Sequence, residues 1–133
     1  MSTDNFEEFK KFNEKFFNGV KHSKDIKWFD RMGIMKLDDK RNAEIILATS
    51  GTHAHYEGYL VKIINKVCGE IVNHYFHFDK YLSITDRIDA RRDYTKGYEV
   101  ITYVKIDWYI AIPSDKNRIA MGNKIIEYIL NYK

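Results

Sequence analysis

Four of the five histidines, His53, His55, His74 and His77, fall between positions 53 and 77, with Asp79 two residues beyond the last. Imidazole and carboxylate ligands suit zinc, manganese or iron, and alternate residues of one strand share a face. His53 and His55 meet that condition. His74 and His77 are an odd number of positions apart, so a regular strand turns them to opposite faces. The metal set this spacing offers is His53, His55 and His77. The same residues also read as ordinary strand histidines at a half-buried surface.

The triplet His53-Ala54-His55 has a second reading. Its His-hydrophobe-His form resembles the metal site of HUH endonucleases. In that family a metal polarises the scissile phosphate and a helical tyrosine attacks it. The resemblance implies Tyr128 or Tyr132, four apart near the end of the chain, as nucleophile. It covers three residues and a tyrosine, and Ser50-Gly51-Thr52 stands where the family has a hydrophobic strand.

The basic cluster Arg87, Arg91, Arg92, Tyr94 and Lys96 offers guanidinium forks for phosphate and a ring for a base. Asp86, Asp89 and Asp93 interleave with it at helical spacing and can neutralise it locally. Farther on, Tyr103, Lys105, Asp107 and Tyr109 alternate with Val104, Ile106, Trp108 and Ile110. The second set reads as core, the first as a partner surface or the lining of a shallow pocket. Cys68 lacks the positive field or base that a reactive thiol needs. The sequence has no P-loop, no Gly-rich dinucleotide fingerprint and no G-x-S-x-G.

These residues must be carried by a framework of 133 residues, a length suited to one α+β domain over 1–133. Hydrophobic residues are 44%, charged residues 31% and aromatic residues 15%, so rings are in surplus for a core of this size. The net charge of +3, without a long run of like charge, permits nucleic acid but does not argue for it. One cysteine excludes an intramolecular disulfide framework, and no apolar run is long enough to span a bilayer. With a polar start lacking a secretory h-region, this predicts a cytoplasmic protein without membrane contact. Abundant Lys, Asn, Ile, Tyr and Phe fit an AT-rich genome, as of a low-GC bacterium, a phage or another virus.

A helix is predicted over 4–18, with Phe6, Phe9, Phe12 and Phe16 on one stripe and Gly19 past its end. Strands are predicted at 26–37 and 43–49 around a turn at 38–42, with Gly33 marking a bulge. Residues 53–67 fit a helical face through Tyr56, Tyr59, Leu60, Ile63, Ile64 and Val67. The hairpin chemistry of Asn65 to Glu70, with Gly69 where φ must be positive, favours a strand instead. Pairing Asn65 with Glu70 then sets Ile63 opposite Val72, Val61 opposite His74, and Tyr59 opposite Phe76. A short helix within 85–93, a strand over 99–112 and a helix over 117–132 complete the chain.

The expected fold is α+β: an antiparallel sheet of about five strands, with N- and C-terminal helices packed on one face. The expected function is non-catalytic binding. A homodimer engages a macromolecule or nucleotide through Arg87, Arg91, Arg92, Tyr94, Tyr103 and Tyr109, nucleic acid being one such partner. No cofactor is indicated by any motif. The rivals are a metal-dependent HUH-like nuclease, and a secretion-chaperone-like homodimer that needs a helix at 53–67.

Overall fold

The computed structural model describes residues 2–50, 55–83 and 113–133, with backbone only over 2–8 and at Ser50 and His55. Helix α1 (Ser2–Phe16) leads into five strands, β1 (Lys27–Phe29), β2 (Met32–Lys36), β3 (Arg41–Ser50), β4 (His55–Asn65) and β5 (Ile71–His77). Helix α2 (Asp115–Asn131) closes the chain. The strands form one antiparallel sheet in sequential order. The expected short helix within 85–93 and strand over 99–112 lie outside the described residues.

Period-two alternation puts Ala43, Ile45 and Leu47 of β3 and Tyr59, Val61 and Ile63 of β4 on one buried face. Phe16, Phe17, Met121, Ile125, Ile126 and Ile129 of the helical layer cover it. The α1 stripe is real from Phe9 onward: Phe12 packs 4.6 Å from Tyr56, and Phe16 packs 5.1 Å from Tyr59. The opposite sheet face is less covered, with Phe29 and Ile71 more than half exposed.

The β4–β5 hairpin makes residues 55–65 of the ambiguous segment a strand, in the predicted register. Ile63 pairs with Val72, Val61 with His74, and Tyr59 with Phe76. Gly69 has φ of 81°, and Asn65 closes the turn by accepting from the Val67 and Cys68 amides through its side chain. The helix that a secretion-chaperone-like fold needs at 53–67 is therefore not formed over 55–65.

Two expectations are corrected. The strand expected over 26–37 is a hairpin, β1–β2, turning at Asp30-Arg31. Asp30 takes φ of 52°, a conformation Asp tolerates better than most residues, and the turn is held from outside. Asn13 of α1 donates to the Asp30 carbonyl at 3.2 Å, and the Leu47 amide donates to the Arg31 carbonyl at 2.9 Å. Gly33 is also no bulge: it pairs regularly with Trp28 and Ile45. It is glycine because a Cβ would stand 2.7 Å from Ile26 and from the Trp28 ring. The bulge lies at Glu57, where the β3–β4 register shifts between Ala48 and Thr49.

Arg118 joins the helices. Its Nη1 lies 3.1, 2.6 and 2.6 Å from the carbonyls of Lys15, Phe16 and Asn18, at and just past the end of α1, where carbonyls run short of amide donors. A cation at a helix C-terminus is also favoured by the macrodipole. We expect Arg118→Ala to cost about 2 kcal/mol, the worth of hydrogen bonds to a charged group. Urea denaturation checks this, with Arg118→Lys recovering only part of the loss because ammonium lacks the planar fork.

Candidate functional site

The described residues bring together a site at the turn end of the sheet, beside the C-terminal end of α2. Its first part is a ring cluster. Tyr128 stacks on His74 at 4.7 Å and 29°, meets Phe76 edge-on at 5.8 Å, and lies 6.0 Å from Tyr132. His74 is 4.5 Å from Phe76. Tyr128 sits in the last turns of α2, and Tyr132, the residue that caps the helix, brings its ring back beside it. Partial burial raises the pKa of Tyr128, with Tyr132 adding to the effect, so the phenol is neutral at physiological pH. An open depression of about 460 Å3 adjoins the rings, edged by Lys124, Glu127 and Lys133.

The second part is a more enclosed recess of about 260 Å3. Arg41, Asn65, Glu70, Val72, Tyr132 and Lys133 line it over a floor at Ile63. Arg41 and Asn65 are register partners on β3 and β4, and the turn after Asn65 brings Glu70 back to face them. Two turns are tied here by the Lys66 amide donating to the Lys40 carbonyl at 2.7 Å. Arg41 is committed: Nε and Nη2 meet the Asp38 carboxylate at 3.1 and 3.0 Å, and Nη1 reaches the Tyr132 carbonyl at 3.3 Å. The Lys40 amide first, with the Arg41 guanidinium and amide, holds the Asp38 carboxyl below its ordinary range. That pair is therefore charged on both sides and close to neutral in sum.

Arg87, Arg91, Arg92, Tyr94, Tyr103, Tyr109 and His53 lie outside the described residues, and His55 is described by backbone alone. His77 is exposed at the end of β5, its ring 3.9 Å from Tyr75, whose hydroxyl is 3.5 Å from Glu57. Burial, then Glu57, raises the Tyr75 pKa. Among the described residues no three His, Cys, Asp or Glu side chains are grouped so that they could hold a metal ion.

The register also places His55 far along β4 from both tyrosines of the HUH-like reading. Tyr128 rests on His74, the partner of Val61, which is about 20 Å along β4 from His55 at a strand rise of about 3.3 Å per residue. Tyr132 shares its recess with Asn65, at the far end of that strand, about 33 Å away. Of the site residues, His74, Tyr128 and Tyr132 stand out in the sequence for other reasons, whereas Arg41, Asn65 and Glu70 read there only as turn chemistry. Among the described residues no helix is long and apolar enough to cross a membrane. No family model, curated protein or solved structure matches the chain.

Proposed function

We propose that this chain is a non-catalytic binding protein whose partner is another protein, engaged at the aromatic end of α2. The observation that carries this reading is the cluster of His74, Phe76, Tyr128 and Tyr132 beside an open depression. Tyrosine supplies large, stiff contact area with a polar tip, the type of side chain that anchors protein interfaces. Charge among the described residues of the site favours a protein over a polyanion. Lys124 and Lys133 are offset by Glu127 and Glu70, Arg41 is matched by Asp38, and the end of α2 adds partial negative charge. A nucleic-acid groove needs a net positive lining, whereas a protein interface accommodates mixed charge around an aromatic centre. Small size and AT-rich composition fit an accessory protein of a virus or mobile element that acts by binding a host component.

The test is the paired variant Tyr128→Ala/Tyr132→Ala, with thermal melting as the control for folding. A protein retained by the wild type from the source cells is purified and titrated directly. We expect the paired variant to weaken it at least about tenfold, the effect of losing an interface anchor. A single-stranded oligonucleotide bound more tightly than any protein overturns the reading. So does metal-dependent cleavage lost in His53→Ala or His55→Ala, which establishes the nuclease instead.

A further inference from the structure

Resting on the protein-partner reading, we infer that the recess beside Tyr132 receives an arginine side chain of that partner. Its stem lies along Tyr132 and Val72, and its guanidinium lies against Glu70.

Size comes first. About 260 Å3 is below the range of pockets that enclose a drug-sized ligand and suits one large side chain. The walls are fixed before any ligand arrives. The Asn65 amide donates to the Glu70 carbonyl at 2.9 Å, Gly69 to the Asn65 carbonyl at 2.8 Å, and Lys66 to the Lys40 carbonyl at 2.7 Å. A preformed wall lowers the ordering cost of binding.

Charge then selects the occupant. The Arg41 guanidinium is spent on Asp38 and the Tyr132 carbonyl, so it neither repels a cation strongly nor has a fork free for an anion. The Asn65 side-chain oxygen is spent on the Val67 and Cys68 amides. Glu70 stands exposed at the recess, and no ion pair joins its carboxylate to another described residue. The last carbonyls of α2 add the negative end of the helix dipole, where cations are favoured. Lys133 offsets Glu70 in the free protein, and its long stem lets its ammonium turn to water when a guanidinium enters. A guanidinium can also lie flat on the Tyr132 ring, which an ammonium does less well.

The experiment tracks amide chemical shifts of the 15N-labelled full chain during titration with N-acetyl-arginine methylamide. The norleucine and glutamate analogues serve as apolar and anionic controls. We expect the arginine probe to move Asn65, Glu70, Tyr132 and Lys133 with a dissociation constant of roughly 1 mM. Glu70→Gln should weaken it about fivefold, and Glu70→Lys should abolish it. Equal shifts with norleucine, preference for the glutamate analogue, or no response overturns the inference. The titration needs no partner, so the two readings fail separately. A partner that depends on Tyr128 and Tyr132 but not on Glu70 removes only the arginine. A normal probe response with no protein partner removes the interaction reading.

Discussion

Gly58→Ala is expected to cost about 3 kcal/mol or more and to detach the end of β5 from β4. Gly58 has φ of 154°, and a Cβ there would fall on the Phe76 carbonyl oxygen, with the Phe76 carbonyl carbon and His77 Cα each 3.0 Å away. The obstacle is backbone in the neighbouring strand, which no rotamer change can move. Gly58 is also buried beside the register shift at Glu57, so the strand has already used its local freedom to form the bulge. Relief requires β5 to move, and with it Phe76 and the ring of Tyr128 packed on it. Urea unfolding measures the stability loss, and hydrogen exchange locates it. Amides of Tyr75 to His77 should exchange faster, while the Asn65–Glu70 turn at the other end keeps its protection. A variant as stable as the wild type would mean that β5 is not held this close to β4.

The same bulge explains why residues 53–67 are ambiguous in sequence. Tyr56 and Tyr59 are three apart, a helical spacing, yet both pack toward the helices, Tyr56 against Phe12 and Tyr59 against Phe16. The extra residue at the bulge shifts the phase of β4, so a strand shows a helical interval. The turn beyond it is legible because its signal is local: Asn65 and Gly69 carry the chemistry themselves. The Asp30-Arg31 turn is not legible. The pair is no strong turn signal by type, and the bonds that hold it come from Asn13 and Leu47, remote in sequence.

The site obeys the same division. Tyr128 and Tyr132 are four apart across the end of α2, and His74 faces the helices once the register is set. Arg41, Glu70 and Lys133 converge only through the sheet register and the docking of α2, which composition and periodicity do not encode. Spacing therefore supplies the residues of the ring cluster but not their meeting, which, like the recess, depends on the docking of α2 against β5.

Asn13→Ala is the second large effect, again about 3 kcal/mol. Asn13 is the one fully buried polar side chain among the described residues, and both ends of its amide are used. Oδ1 accepts from the Tyr59 hydroxyl at 2.6 Å, and Nδ2 donates to the Asp30 carbonyl at 3.2 Å. Alanine leaves the buried hydroxyl without a partner, at about 1–3 kcal/mol, and adds a small cavity beneath α1. Removing both polar groups together should be milder. Asn13→Leu/Tyr59→Phe is expected to be more stable than Asn13→Leu alone, because no buried hydroxyl is then stranded. Alkali gives an independent readout. Burial, with a smaller effect of Tyr56, pushes the Tyr59 pKa well above its ordinary value, so the native state holds a proton that the unfolded chain releases above about pH 10. Below that pH Tyr59 is protonated in both states and contributes no pH dependence. Above it the unfolded state binds fewer protons, and Tyr59 contributes a fall of about 1.4 kcal/mol per pH unit until its native pKa is reached. Tyr75, Tyr81 and Tyr128 are shifted in the same direction and remain in Tyr59→Phe. Chemical denaturation at about pH 10 and about pH 11 should therefore show a steeper loss in the wild type than in Tyr59→Phe. Equal slopes would mean that the Tyr59 hydroxyl is reached by water and that the Asn13 bond does not seal it.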